Sequence, residues 1–133
     1  MGETAAVSVI IEGKTGYAQE VHAGQHRWTS DEPASRGGTD TGPNPSALLL
    51  SALGACTAIT LRMYAERKNW ELGTIRIRCA LFPRNDERPR IDRELTFTAT
   101  LSEDQRVKLL EIAGKTPVTK IVMHGAEVAT RIG

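Results

Sequence analysis

Residues 37–46 read GGTDTGPNPS and lead directly into the apolar segment ALLLSALGACTAITLRMYAERK, residues 47–68. The glycines and prolines between positions 31 and 45 predict an irregular loop of about fifteen residues. Proline is tolerated in a first helical turn, so a helix is expected to begin near Pro45 or Ser46. Its first half is apolar on nearly every side, which predicts burial deep in the domain or against a partner chain. The segment therefore places one thiol, Cys56, at a defined point on a long helix.

Strands are predicted on both sides of this loop and helix. Alternating apolar residues and turn signals predict three strands before the loop and two after the helix. The first three strands are expected near Val7–Ile11, Tyr17–Ala23 and Gln25–Ser30. The last two, Gly73–Phe82 and Ile91–Leu101, are separated by a charged turn and predict a hairpin.

The C-terminal third predicts two helices and one closing strand. Ser102 to Gln105 have the pattern of a capping box, which opens a helix through Ile112 and Ala113. Thr116 as N-cap and Pro117 in the first turn predict a short helix to about His124. Residues 126–132 alternate as a final strand. The fold class is then α+β with the order βββ-α-ββ-α-α-β, and residues 1–133 are expected to form a single domain.

Charge and composition exclude several function classes. The 133 residues carry 17 basic and 16 acidic side chains, a formal charge of +1, which favours neither nucleic acid nor an anionic membrane surface. The N-terminus has no basic stretch followed by an apolar core, and no apolar run approaches the ~18 residues of a membrane span. The chain is therefore expected in the cytoplasm. In that reducing compartment, Cys56 and Cys79 are individual thiols rather than a disulfide.

Each cysteine has a structural and a reactive interpretation. On an apolar helix Cys56 can be a small buried hydrophobe, and it becomes reactive only beside a cation that favours the thiolate. Arg36 in the loop is the best candidate for that cation, and Arg27 and His26 are weaker ones. Cys79 alternates with apolar strand residues, which predicts core packing.

Metal and phosphate sites are not indicated by spacing. The three histidines, His22, His26 and His124, belong to no HExxH pattern and have no CxxC partner. Gly37 and Gly38 lack the surrounding pattern of a phosphate-binding loop. The sequence therefore predicts no metal and no cofactor.

Three stretches together resemble the OsmC/Ohr family, and most closely its OsmC-like redox proteins. They are DEP at residues 31–33, GGTDTGPNP at residues 37–45 and LLLSALGACTAITLRMYAERK at residues 48–68. The resemblance implies an intertwined homodimer in which long central helices, each bearing a cysteine, lie between two sheets.

The resemblance also implies a chemistry. Active members reduce organic hydroperoxides with two cysteines: one is oxidised to a sulfenic acid, and the other forms a disulfide that an external dithiol reduces. An arginine and a glutamate complete their site. Cys56 matches the peroxide-attacking cysteine, and Arg36 matches the arginine of the OsmC branch.

Two family positions carry other residues. Ser46 stands where relatives have glutamate, and Thr116 stands where many relatives have the resolving cysteine. Cys79 faces the predicted core and has no special reason to come within the ~7 Å Cα separation of Cys56 that a disulfide needs. The expected activity is at most a one-cysteine peroxide reduction that uses an external thiol or dithiol.

Two non-enzymatic hypotheses stay open at this point. The chain could bind an apolar small molecule in a cleft at the dimer interface, with Cys56 as part of the wall. It could also be a redox-regulatory interaction protein that retains Cys56 for packing.

Overall fold

The structure is a computed structural model that describes residues 3–133, so the first two residues of the predicted single domain lie outside it. Its strands are β1 (Ile10–Glu12), β2 (Gln19–Ala23), β3 (His26–Ser30), β4 (Ile75–Phe82) and β5 (Arg90–Phe97). Its α-helices are α1 (Pro45–Lys68), α2 (Glu103–Ala113) and α3 (Pro117–His124). This content confirms the α+β class. The chain forms two compact units, one ending at Leu49 and the other beginning at Leu50.

The first unit is built on an antiparallel meander of β1, β2 and β3. Gly24 lies in the two-residue turn between β2 and β3 at φ 59°, a conformation that glycine adopts without a steric penalty. β1 is shorter than expected because Val7 and Val9 lie outside the ladder and are exposed. The three predicted strands are otherwise confirmed.

The loop after β3 is irregular, as predicted, apart from a 3₁₀ turn at Ala34–Arg36. Two of its glycines are required by close approach: a Cβ at Gly38 would overlap the Glu32 carbonyl, and one at Gly42 would overlap the Thr29 carbonyl. Asn44 closes the loop by capping α1, since its Oδ1 accepts the N–H of Ala47 at 2.8 Å. The predicted start of α1 is therefore confirmed.

α1 buries one side only within the single chain. Its buried residues are spaced four apart: Leu53, Thr57, Leu61 and Ala65. On another side, Ile59 and Met63 are 55% and 57% exposed. The expectation of burial deep within the domain is therefore wrong for the single chain, and burial against a partner stays a prediction. By length and composition alone α1 could cross a membrane, so the expectation that no segment approaches a membrane span is wrong for α1; the core helix of a soluble protein passes the same test.

The second unit packs helices on the β4–β5 hairpin. The hairpin pairs Ile75 with Phe97 at one end and Phe82 with Arg90 at the other. Its core joins α1 to α2 through the buried residues Leu61, Ala65, Leu72, Leu109 and Ala113, against which Ile75, Leu95 and Phe97 pack. The predicted inward set on β4 is confirmed, because Ile75, Ile77, Cys79 and Leu81 are all half-buried.

Both predicted helix caps are present. Ser102 Oγ accepts the N–H of Gln105 at 3.1 Å, and Gln105 Oε1 accepts the N–H of Ser102 at 2.9 Å, which completes the capping box. Thr116 Oγ1 accepts the N–H of Thr119 at 3.2 Å and caps α3.

The closing strand predicted over residues 126–132 is wrong for the single chain. Among residues 125–133, all of which the structure describes, there is no regular element, and Val128 and Ile132 are exposed. A strand exists only through hydrogen bonds to a neighbouring strand, and alternation in the sequence does not provide that neighbour.

Candidate functional site

Cys56 lies in the middle of α1, half-buried and with a free thiol. It follows Ala52 by four residues and precedes Ile59 by three, so the three share one stripe of the helix. Met63 extends the stripe by four more. Because Ile59 and Met63 are largely exposed, the thiol lies at the margin of an open apolar surface.

Cys79 lies on the inner face of β4, where it packs against α1. A methyl group placed on Gly54 would lie 3.7 Å from Cys79 Sγ, an ordinary van der Waals distance, so the sulfur packs close to the helix at this residue. Burial raises the pKa of the Cys79 thiol, and the nearby Arg93 charge opposes that shift only in part. The expectation that Cys79 packs in the core agrees with this placement. Both thiols are free in the structure.

Arg93 lies directly opposite Cys79 in the β4–β5 ladder and points to the same inner face. Its Nη1 donates to Thr57 Oγ1 at 2.9 Å and to Thr119 Oγ1 at 2.8 Å. Its Nη2 donates to the Ala113 carbonyl at 3.0 Å. One guanidinium therefore ties β5 to all three helices, and each of these hydrogen bonds goes to a neutral oxygen.

Thr116, predicted to stand at the position of the resolving cysteine, is completely buried beside this network. Its Oγ1 lies 2.6 Å from Thr119 Oγ1 and accepts the Thr119 N–H. Thr119 Oγ1 donates its own proton to the Ala113 carbonyl at 3.2 Å. The Thr116 hydroxyl must then donate to Thr119, because each hydroxyl has a single proton. The position holds a hydroxyl that both donates and accepts a hydrogen bond, and it can form no disulfide.

The same network reaches the helical turn that carries Cys56. Thr57, the next residue on α1, accepts from Arg93 and donates to the Leu53 carbonyl at 2.7 Å. Thr116 and the helix that carries Cys56 are thus connected through Thr119, Arg93 and Thr57. Hydroxyl groups and one guanidinium connect Thr116 to α1, and position 116 carries a hydroxyl where a cysteine would carry a sulfur.

Asp31 organises the loop that carries Arg36. Its carboxylate is 2% exposed and accepts five hydrogen bonds. Oδ1 accepts the N–H of Glu32 at 2.7 Å. Oδ2 accepts the N–H groups of Thr39 and Thr41, each at 3.1 Å, and their hydroxyls at 2.6 and 2.8 Å. The Thr39 hydroxyl is the main reason that the pKa of Asp31 lies far below its usual range, although burial acts in the opposite direction.

Arg36 ends the 3₁₀ turn within this loop, and its side chain is exposed. Its backbone N–H donates to the Pro33 carbonyl at 2.9 Å, so its position along the loop is defined. Arg36 belongs to the first compact unit and Cys56 to the second, and their pairing stays a prediction. Ser46 lies exposed in the first turn of α1, and it has no carboxylate to orient an arginine.

Sequence reasoning missed Asp31 and Arg93 as organising residues. Arg93 could have been found because it alternates with Leu95 and Phe97 on the inner side of a strand. A charge in that position is costly without hydrogen-bond partners, so the sequence indicates that Arg93 has them. The signal for Asp31 was weaker: an aspartate between a strand and a turn, with two threonines eight and ten residues later.

A family model described as OsmC-like protein matches residues 38–131, which is more than half of the chain. No curated protein sequence matches the chain at a significant level.

Solved structures with the same fold are distant in sequence. One is a protein ascribed to the osmotic stress and detoxification response of Psychrobacter arcticus, with a TM-score of 0.77, 15% identity, and 90% of each chain covered. Another is the organic hydroperoxide resistance protein OsmC of Legionella pneumophila, with a TM-score of 0.64, 18% identity, and 90% of this chain and 91% of that one covered. A third is the organic hydroperoxide resistance protein OhrB of Bacillus subtilis, with a TM-score of 0.63, 23% identity, and 91% and 93% covered. At these identities the likeness shows a shared fold.

Proposed function

Because this chain belongs to the OsmC-like protein family, we propose that it reduces organic hydroperoxides through a single cysteine, Cys56. The observation that carries the one-cysteine form is Thr116, a buried hydroxyl that both donates and accepts a hydrogen bond, and we take its position to be that of the family's second sulfur. Two neighbours of the same fold are named as organic hydroperoxide resistance proteins, which supports the substrate class.

The proposed reaction begins at the Cys56 sulfur. The thiolate attacks one peroxide oxygen, the O–O bond breaks, and the alcohol leaves after it takes up a proton. Cys56 is then a sulfenic acid. One external thiol condenses with it and releases water, and a second thiol attacks the mixed disulfide and restores Cys56.

Arg36 is the proposed partner of this thiolate. A guanidinium favours the charged form of the sulfur and can donate to the peroxide oxygens. Its loop is held in place by the Asp31 hydrogen bonds, which supports a defined position for the cation. Ser46 supplies no carboxylate to orient it, so we expect weaker activation than a glutamate would allow.

Cys79 is not proposed as a second redox partner. Its raised pKa and its packing beside Gly54 both disfavour the thiolate that disulfide exchange requires. An external thiol or dithiol is therefore the proposed reductant, in a single-domain cytoplasmic protein.

A homodimer is the proposed assembly. Ala52, Cys56, Ile59 and Met63 follow one another at spacings of four, three and four, the pattern of helices that pack on each other. The exposed Ile59 and Met63 would be covered by the second copy. Light scattering should give twice the mass of one chain, and Ile59→Glu should return the protein to the monomer mass. A monomeric wild type would contradict this assembly.

The test of the activity is loss of cumene hydroperoxide in the presence of dithiothreitol. Wild type and the matched control Cys79→Ala should consume the peroxide. Cys56→Ser should consume it only at the rate measured with dithiothreitol and no protein. A sulfenic-acid trap such as dimedone should label Cys56.

Two results would overturn the proposal. Equal rates for wild type and Cys56→Ser would remove Cys56 from the chemistry. An oxidised product two hydrogens lighter, with Cys56 linked to Cys79, would show a two-cysteine cycle.

A further inference from the structure

A second cluster of reactive side chains lies on the β1–β2 ladder, within the first compact unit. Glu12 pairs directly with Glu20 across the two strands, and Ile10 pairs with His22. Glu20 and His22 are two residues apart on β2, so they project on the same face as Glu12. Two carboxylates and one imidazole therefore share a small area of the sheet.

The donor atoms of the three side chains converge. His22 Nε2 lies 2.5 Å from Glu20 Oε1 and 3.5 Å from Glu12 Oε1. One ligand atom from each residue lies within 4.8 Å of the other two. The imidazole is mostly buried, with 20% of its side chain exposed, while the Glu12 and Glu20 side chains are 67% and 58% exposed. The mostly buried nitrogen is hydrogen-bonded to the Glu20 oxygen and lies close to the oxygen of the more exposed Glu12.

The pairing of Glu12 with Glu20 favours a positive group beside the two carboxylates. Like charges directly opposite each other in an antiparallel ladder destabilise the pair, and within the cluster the only neighbour of both carboxylates is His22 Nε2. Lys14 and both glutamates line the same hollow of about 400 Å³, so the two carboxylates open onto space for solvent or a further ligand. The mostly buried His22 imidazole lies beside them, outside the lining of this hollow.

We propose that Glu12, Glu20 and His22 bind a divalent transition-metal ion of the Zn²⁺, Mn²⁺ or Fe²⁺ class. Two carboxylate oxygens and one imidazole nitrogen are a donor set that these ions accept, with the remaining positions open to water. The bound ion neutralises the two carboxylates, and it stabilises the sheet because it links β1 to β2. This site goes beyond the peroxide chemistry and does not depend on it.

The sequence concealed this site because its three residues follow no metal-binding spacing. Glu20 and His22 are separated from Glu12 by the turn between β1 and β2, and only the register of the ladder brings them together. The expectation of no metal rested on His22, His26 and His124 taken in order along the chain.

The test is calorimetric titration of metal-stripped protein with zinc chloride. Wild type and the matched control His26→Gln, which alters an exposed histidine on β3, should bind Zn²⁺ equally. His22→Gln and Glu12→Gln should each weaken binding by at least ~10-fold, because the loss of even an outer-shell partner costs that much. Trp28 fluorescence, which reports on the strand paired with β2, should be unchanged in all variants.

Absorption spectra recorded with cobalt chloride distinguish metal binding at this site from metal binding by the two thiols. Co²⁺ bound by oxygen and nitrogen gives only weak visible bands, whereas a thiolate ligand adds a strong near-ultraviolet charge-transfer band. The proposal expects the weak bands alone, and expects them to disappear in His22→Gln. Equal Zn²⁺ affinity in all four proteins, absence of binding in wild type, or a thiolate band unaffected by His22→Gln would each overturn it.

Discussion

The two compact units each depend on one charged residue, and the two charges are of opposite sign: Asp31 is buried and Arg93 is half-buried. In the first unit the Asp31 carboxylate accepts hydrogen bonds from Glu32, Thr39 and Thr41. In the second, the Arg93 guanidinium donates to Thr57, Thr119 and Ala113. In both units the partners are backbone groups and hydroxyls, so a charge is stabilised by oriented dipoles rather than by a counter-ion.

Asp31 and Arg93, the charged anchor of each unit, differ in the sequence distance to their hydrogen-bond partners and in their response to pH. Asp31 binds groups up to ten residues away and shapes a local loop, whereas Arg93 binds Thr57 across 36 residues and joins three helices to a strand. A carboxylate can be neutralised by acid, while a guanidinium stays charged at any ordinary pH. The first unit therefore has a pH-sensitive anchor, and the second has a permanent one.

Replacing Asp31 with alanine should cause the largest loss of stability. Five donors that converge on one carboxylate would lose their acceptor together, in a site that water does not reach. We expect the Tm to fall by on the order of 10 °C or more, with Trp28 as the reporter in a Trp70→Phe background. Asp31→Asn, which keeps one oxygen, should lose less. An unchanged Tm in Asp31→Ala would remove Asp31 as the anchor of its unit.

Replacing Arg93 with methionine should cost about 2 kcal/mol of unfolding free energy, because hydrogen bonds from a charged donor are lost while no buried donor is orphaned. Arg93→Lys should recover only part of this, since a single ammonium cannot span Thr57, Thr119 and Ala113 as the planar guanidinium does. Denaturant unfolding followed at Trp70, in a Trp28→Phe background, measures the effect. Equal stability of the methionine and wild-type proteins would show that packing alone joins these elements.

Acid should weaken the stabilising contribution of Asp31 gradually, while Arg93 stays charged. The loss of stability should be smaller than the loss caused by either substitution. The pKa of Asp31 is depressed in the folded protein, so its contribution is complete above the unfolded value near 4 and is lost as the pH falls toward the folded value. Between pH 6 and about pH 3, stability reported by Trp28 should decline more steeply in wild type than in Asp31→Asn. Parallel slopes in the two proteins would contradict this role.

The same two probes test whether residues 1–133 behave as one domain. Coincident transitions at Trp28 and Trp70 would indicate cooperative unfolding of the whole chain. Separate transitions would indicate two units that unfold independently. The predicted single domain requires the first result.

Local elements were predictable because their causes lie within a few residues. Proline and glycine content defined the loop before α1, the Ser102 capping box opened α2, and alternation placed Cys79 on the inner face of β4. The failed closing strand over residues 126–132 shows the limit of this reasoning. Alternation describes a segment's two faces, and it does not state whether a neighbouring strand is available to bond.

The sequence by itself determined the family, the helix that carries Cys56, and the absence of a cysteine at position 116. Only the tertiary structure showed that Thr116 is bonded into the Arg93 network, that Asp31 anchors the loop of Arg36, and that Glu12 meets Glu20 and His22. The reason is physical: helix caps and turns arise from neighbours along the chain. The surroundings of a buried charge arise from groups that only folding brings within 3 Å.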